Sequence, residues 1–266
     1  MEMVAKISES LDVAHHAQLA EFLTALGDDA LILGHRLSEW CGHAPQLEED
    51  IALANIALDE IGRANVLLMY AGQLEGLNRD QDDLAFHRDT VSFRNLLLVE
   101  QPNIDFGYTL ARQFLYDVYA LKLFECMGGS PNPFISGVAR KAAKEITYHV
   151  RHSRSWVLRL GDGTSESHDR IQAAFDELWT YTDEMFETSE SIHALIEAGI
   201  IPDGFLRLRV DWNVFVTDTL TEATLVVPDQ DQFMRKGGRS GQHSEHLGHI
   251  LDEMQFLARS HPDASW

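Results

Sequence analysis

Residues 36–70 read RLSEWCGHAPQLEEDIALANIALDEIGRANVLLMY. Gly42 and Pro45 interrupt an otherwise helical beat, so one helix ends near Cys41 and a second starts near Leu47. Upstream of the turn, Leu19, Leu23, Leu26, Ala30, Leu33, Leu37 and Trp40 recur in steps of three and four. Downstream, Leu47, Ile51, Ala54, Leu58, Ile61 and Leu68 do the same. Each set predicts one buried seam on its helix. A short turn between two such helices forces an antiparallel pair.

The rest of the chain repeats this unit. Further long helices are expected over 104–127, 134–160, 167–187, 205–227 and 242–259, with a shorter one over 189–198. Strong breakers separate them, such as GGSPNP at 128–133 and GDGT at 161–164. Residues 73–91 read as a charged connection and 229–241 as a polar loop. Strand alternation and a fixed-period repeat are both lacking. The expectation is a single all-α domain over 16–266, four central helices with others packed around them, preceded by a polar extension over 1–15.

The composition excludes several functions. A hydrophobic share of 45% argues against disorder. A net charge of −21 disfavours nucleic acid and anionic membranes, which are polyanions. No apolar run approaches the ~20 residues of a membrane span. Two cysteines, Cys41 and Cys126, without a Cys-x-x-Cys pair leave no disulfide framework or zinc–thiolate site. Both fall at helix ends with no base beside them, and a reducing cytoplasm fits.

Candidate chemistry lies in the acids. Counting from the turns, Asp28 or Asp29, Asp59, Asp117 and Glu145 lie about 11 or 12 residues from their helix ends. At about 1.5 Å rise per residue they share one depth. Four carboxylates in one layer of a helical bundle is the pattern of ferritin-like di-iron proteins. That pattern also needs Glu-x-x-His on the second and fourth helices, so that each metal receives an imidazole. Here Asp59 is followed at that offset by Gly62, and Glu145 by Tyr148. His149 and His152 share the face of Glu145 at other offsets. The acids are therefore read as degenerate di-iron positions (Asp28, Asp29, Asp59, Asp117, Glu145 and His149). Lys144, Arg63, Arg112 and His149 are candidate partners for their charge.

Six segments carry a family resemblance. LGDDALILGHRLSEWCGHAPQLEEDIALANIALDEIGRA (26–64), LLLVEQPN (96–103), ARQFLYD (111–117), KEITYHVRHS (144–153), NVFVTDTLTEATLVVP (213–228) and GQHSEHLGHILDEMQ (241–255) resemble the C subunits of bacterial phenylacetyl-CoA epoxidases. These are components of ring-1,2-epoxidising monooxygenases of aerobic phenylacetate degradation. The resemblance implies a ferritin-like subunit that holds no cofactor and no catalytic residue. It would pair with a catalytic A subunit that carries the di-iron centre, and with other epoxidase subunits, while a reductase with flavin and iron–sulfur centres supplies electrons from NADPH. Self-pairing into a homodimer stays open. So does a di-iron oxidase or oxygenase active in its own right through Asp29, Asp59, Asp117, Glu145 and His149.

Two further motifs have bland and functional readings. HSEHLGHILDE (243–253) aligns His246, His249 and Glu253 on one helical face, as a metal site or as helix-pinning contacts. RKGGRSG (235–241) is a basic loop that could be flexible surface or could meet a CoA phosphate or partner carboxylate.

Overall fold

A computed structural model describes residues 15–229, 232–262 and 264. The expected polar extension lies outside these, except for His15. Among the described residues there are nine α-helices and no strand: α1 (His16–Ser38), α2 (Leu47–Glu75), α3 (Gln81–Phe86), α4 (Phe106–Met127), α5 (Pro133–Gly161), α6 (Ser165–Leu178), α7 (Glu190–Glu197), α8 (Leu208–Glu222) and α9 (Glu245–Ser260). The class is all-α and in keeping with a ferritin-like bundle, as expected. No helix among the described residues is long and apolar enough to cross a membrane.

The helices group into two compact units. Among the described residues the first comprises 15–102, 190–194, 236–262 and 264, and is built on the α1–α2 hairpin with α3 against α2 and α9 against α3. Gly42, at φ +80°, makes the turn. Glu48, Glu49 and Asp50 in the first turn of α2 complement its dipole. The α1 seam is buried as expected from Leu19 through Leu23, Leu26, Ala30 and Leu33 to Leu37, all at or below 5% exposure, whereas Trp40 lies past the helix end and is half-buried. Only part of the expected α2 seam is inside: Leu68 is 1% exposed and Ile61 lies against Gly34 of α1. Leu47, Ile51 and Leu58 are 73%, 54% and 67% exposed, and the buried stripe is Ala52, Leu53, Ile56, Ala57, Ala64, Leu67 and Leu68. Both stripes of α2 are apolar at helical spacing, so periodicity alone does not choose between them. A Cβ on Gly27 would lie 2.7 Å from the Leu68 side chain, and one on Gly34 2.8 Å from Ile61. The two glycines of α1 thus leave room for the Leu68 and Ile61 side chains of α2.

The second unit comprises 103–189 and 195–235. It is built on the α4–α5 hairpin, with α6 against α4 and α8 against both. Asp105 caps α4 through Tyr108 N, at 2.7 Å. Asn132 caps α5, with Pro133 in its first turn. Trp212 of α8 is fully buried and donates its indole N–H to Leu115 O at 2.9 Å.

Three boundaries differ from expectation. The charged connection contains α3, started by a reciprocal capping box between Asp80 and Asp83. The helix over 167–187 stops at Leu178 and continues as 3-10 turns Trp179–Tyr181 and Asp183–Phe186. There Trp179 and Phe186 each pack 5.4 Å from the Trp212 ring. The helix over 205–227 spans only Leu208–Glu222, and Thr224 behind it adopts φ +61°.

Candidate functional site

Asp28 and Asp29 are fully buried in α1. Neither faces a cluster of ligating groups; both are held by arginines and backbone amides. Asp28 forms an ion pair with Arg88, whose Nη1 lies 3.0 Å from Oδ2, and accepts Arg94 N at 2.8 Å. Asp29 accepts Leu96 N at 2.7 Å and two Arg239 nitrogens, at 3.0 and 2.7 Å. Burial outweighs the Arg239 guanidinium and raises the Asp29 carboxyl from 3.8 to about 6. The folded chain then binds more protons here than the unfolded chain between those two values. This group's contribution to stability is therefore present at low pH and lost as pH rises through about 6. Relative to Asp29→Asn, the native chain should be about 1 kcal/mol more favoured at about pH 5 than at about pH 7.5. Urea unfolding of both proteins at the two pH values checks this, and a pH-independent difference refutes it.

The other acids sit differently from their expected layer. Asp59 is only half-buried, and its neighbour Glu60 is the fully buried acid of α2. Glu60 is ion-paired with Arg63, one turn on, itself 4% exposed. Glu145 is likewise half-buried and pairs with Lys141 at 2.5 Å, leaving the exposed Lys144 aside. Its neighbour Ile146 takes the buried position, and His149 three residues later is fully buried. Asp117 is buried and accepts Gln113 Nε2 at 2.6 Å and Ser153 Oγ at 2.8 Å. Arg112 donates to Asn103 Oδ1 at 2.8 Å. The expected positions on α2 and α5 were each one residue out of register.

With the register corrected, the di-iron motif can be tested helix by helix. On α2 the buried pair is Glu60-x-x-Arg63; on α5 it is Ile146-x-x-His149. Each helix keeps one half of Glu-x-x-His. A guanidinium is always protonated and has no lone pair for a metal, and an isoleucine has no donor at all. These residues do not fit a pair of irons. Among the described residues, no group of three or more His, Cys, Asp or Glu side chains could hold a metal ion.

A second buried centre was not anticipated. Glu100, in the LLLVEQP segment, is fully buried. Its carboxylate accepts Ser244 N at 2.7 Å and Asn95 Nδ2 at 2.9 Å, and faces His243 Nδ1 at 2.9 Å. Its carbonyl accepts Arg36 Nε and Nη2 at 3.1 and 2.9 Å. The other nitrogen of His243 lies 3.0 Å from Phe93 O. A carbonyl only accepts, so that nitrogen carries hydrogen. In HSEHLGHILDE, then, the first histidine is the anchored one, whereas His246 is half-buried and His249 and Glu253 are exposed. The basic loop is pinned as well. A Cβ on Gly238 would lie 2.2 Å from Asn95 O, and Arg239 reaches Asp29. Glu100 and His243 are 143 residues apart, so no local spacing links them. Cys41 is exposed; burial, with Asp203 nearby, raises the Cys126 thiol and keeps it protonated.

The family described as phenylacetic acid catabolic protein matches residues 2–266. The chain is similar to the C subunit of the 1,2-phenylacetyl-CoA epoxidase of Escherichia coli (strain K12): 48% identical over 249 residues, covering 94% of this chain and 99% of that protein.

Proposed function

The chain belongs to the phenylacetic acid catabolic protein family, and we propose that it serves as the C-type subunit of a phenylacetyl-CoA epoxidase in aerobic phenylacetate catabolism. On this reading it supports an iron-bearing catalytic A subunit and oxidises nothing itself. The di-iron centre then resides in the A subunit. NADPH, flavin and iron–sulfur centres belong to a reductase, and the assembly works in the cytoplasm. The observation that carries the reading is the pair of half-motifs, Glu60-x-x-Arg63 and Ile146-x-x-His149, in the buried faces of α2 and α5. Where a metal would need an imidazole, α2 supplies a cation of its own. The match to the Escherichia coli C subunit over nearly the whole of both chains supports the same role.

Co-expression with the A subunit and metal analysis test this. A stable complex is expected, with iron following the A subunit and none retained by the isolated chain after anaerobic loading. About two irons per isolated chain, with oxygen consumed on reduction, would replace the reading with that of a self-sufficient di-iron oxidase.

A further inference from the structure

We propose that the outward face of α2 is the docking surface for a long helix of a different subunit, apolar along its centre and basic along its edge. This rests on the subunit reading above. Leu47, Ile51, Ala54, Leu58 and Gly62 follow one another in steps of three and four on the side of α2 opposite its buried stripe, and the polar Asn65 ends the run. Leu47, Ile51 and Leu58 are 73%, 54% and 67% exposed. Single exposed leucines are ordinary, but three bulky aliphatic side chains exposed on one face within about 16 Å of one helix are not. The face opposite already packs on α1, so the stripe is not a misplaced core.

Gly62 points the same way. It lies in the middle of a 29-residue helix, where glycine weakens the helix relative to alanine. Its φ is not in the left-handed range, and a Cβ there would meet nothing within 4 Å. Among the described residues nothing crowds position 62, and a glycine there suits close approach by a second backbone.

The rim selects the occupant. Glu48 and Asp59 flank the stripe on one side and Asp50 on the other. The whole chain carries −21. A second copy would bring the same acidic rim and the same net charge, so the electrostatics favour a different chain with lysines or arginines at the edge.

The test measures binding of the purified A subunit to the full chain and to three variants. Leu58→Glu should weaken the dissociation constant by about tenfold or more. Gly62→Gln should weaken it comparably while raising the melting temperature of the isolated chain, a pairing of signs that a folding defect cannot give. Val210→Glu, at an exposed position of α8, should leave binding unchanged. If the unaltered chain binds no A subunit, both this surface and the subunit reading fall. If it binds and all three variants bind equally well, the surface alone falls. A self-dimer of the isolated chain that Leu58→Glu dissolves would also overturn the proposal, by making a second copy the occupant.

Discussion

Arg63→Leu should destabilise the chain by about 3–5 kcal/mol, while Glu60→Leu combined with Arg63→Leu should return to within about 1 kcal/mol of the native value. The argument is one of compensation. Glu60 is fully buried and Arg63 is 4% exposed, one turn apart on the face of α2 packed against α1. An ionised carboxylate removed from water loses its hydration, and the adjacent guanidinium offsets that loss. Removing the guanidinium alone takes away the cation one turn from this buried carboxylate, and that lost compensation costs free energy. Removing both charges puts two apolar side chains into an apolar stripe, which proteins tolerate well. Urea unfolding of the three proteins measures the difference. A single variant as stable as the native chain would mean that Arg63 does not balance Glu60, and would remove the physical basis for reading Arg63 as the replacement of a metal ligand.

The second large effect is expected at Glu100. Glu100→Ala should cost about 3–5 kcal/mol, because it strips partners from several buried donors at once. Ser244 N, Asn95 Nδ2 and the His243 imidazole all converge on this carboxylate. The loss should be local as well as global. Lys236–Ser244 is held to the first unit through Arg239 on Asp29 and His243 on Glu100. With one anchor gone, amide exchange over 236–244 should speed up by at least an order of magnitude while that of α4 and α5 changes little. Unchanged exchange in that segment would show that its packing against 91–97, and not the ion pair, holds it.

The sequence by itself determined the class, the hairpins and the kinship. Long runs at helical spacing, broken by Gly42, Pro45, GGSPNP and GDGT, leave few alternatives to antiparallel helices. Such information is local: a helix and its stops are written within about 25 consecutive residues. The α1 seam was legible for the same reason, although α1 also buries Phe22, Leu31 and Ile32 off that seam. On α2 two apolar stripes run side by side, and sequence periodicity favoured the bulkier one. Only burial in the folded chain shows that Ala52, Leu53, Ile56 and Ala57 go inside in the first half of α2, while further on Ile61 and Leu68 of the bulkier stripe meet Gly34 and Gly27. The same one-residue rotation moves attention from Asp59 to Glu60 and, on α5, from Glu145 to Ile146. Tertiary structure also decided what the buried acids touch. Asp28 meets Arg88, Asp29 meets Arg239 and Glu100 meets His243 across separations of 60, 210 and 143 residues. Pairings that distant depend on where whole elements come to rest, and a one-residue turn of a helix is enough to exchange a core side chain for a solvent-facing one.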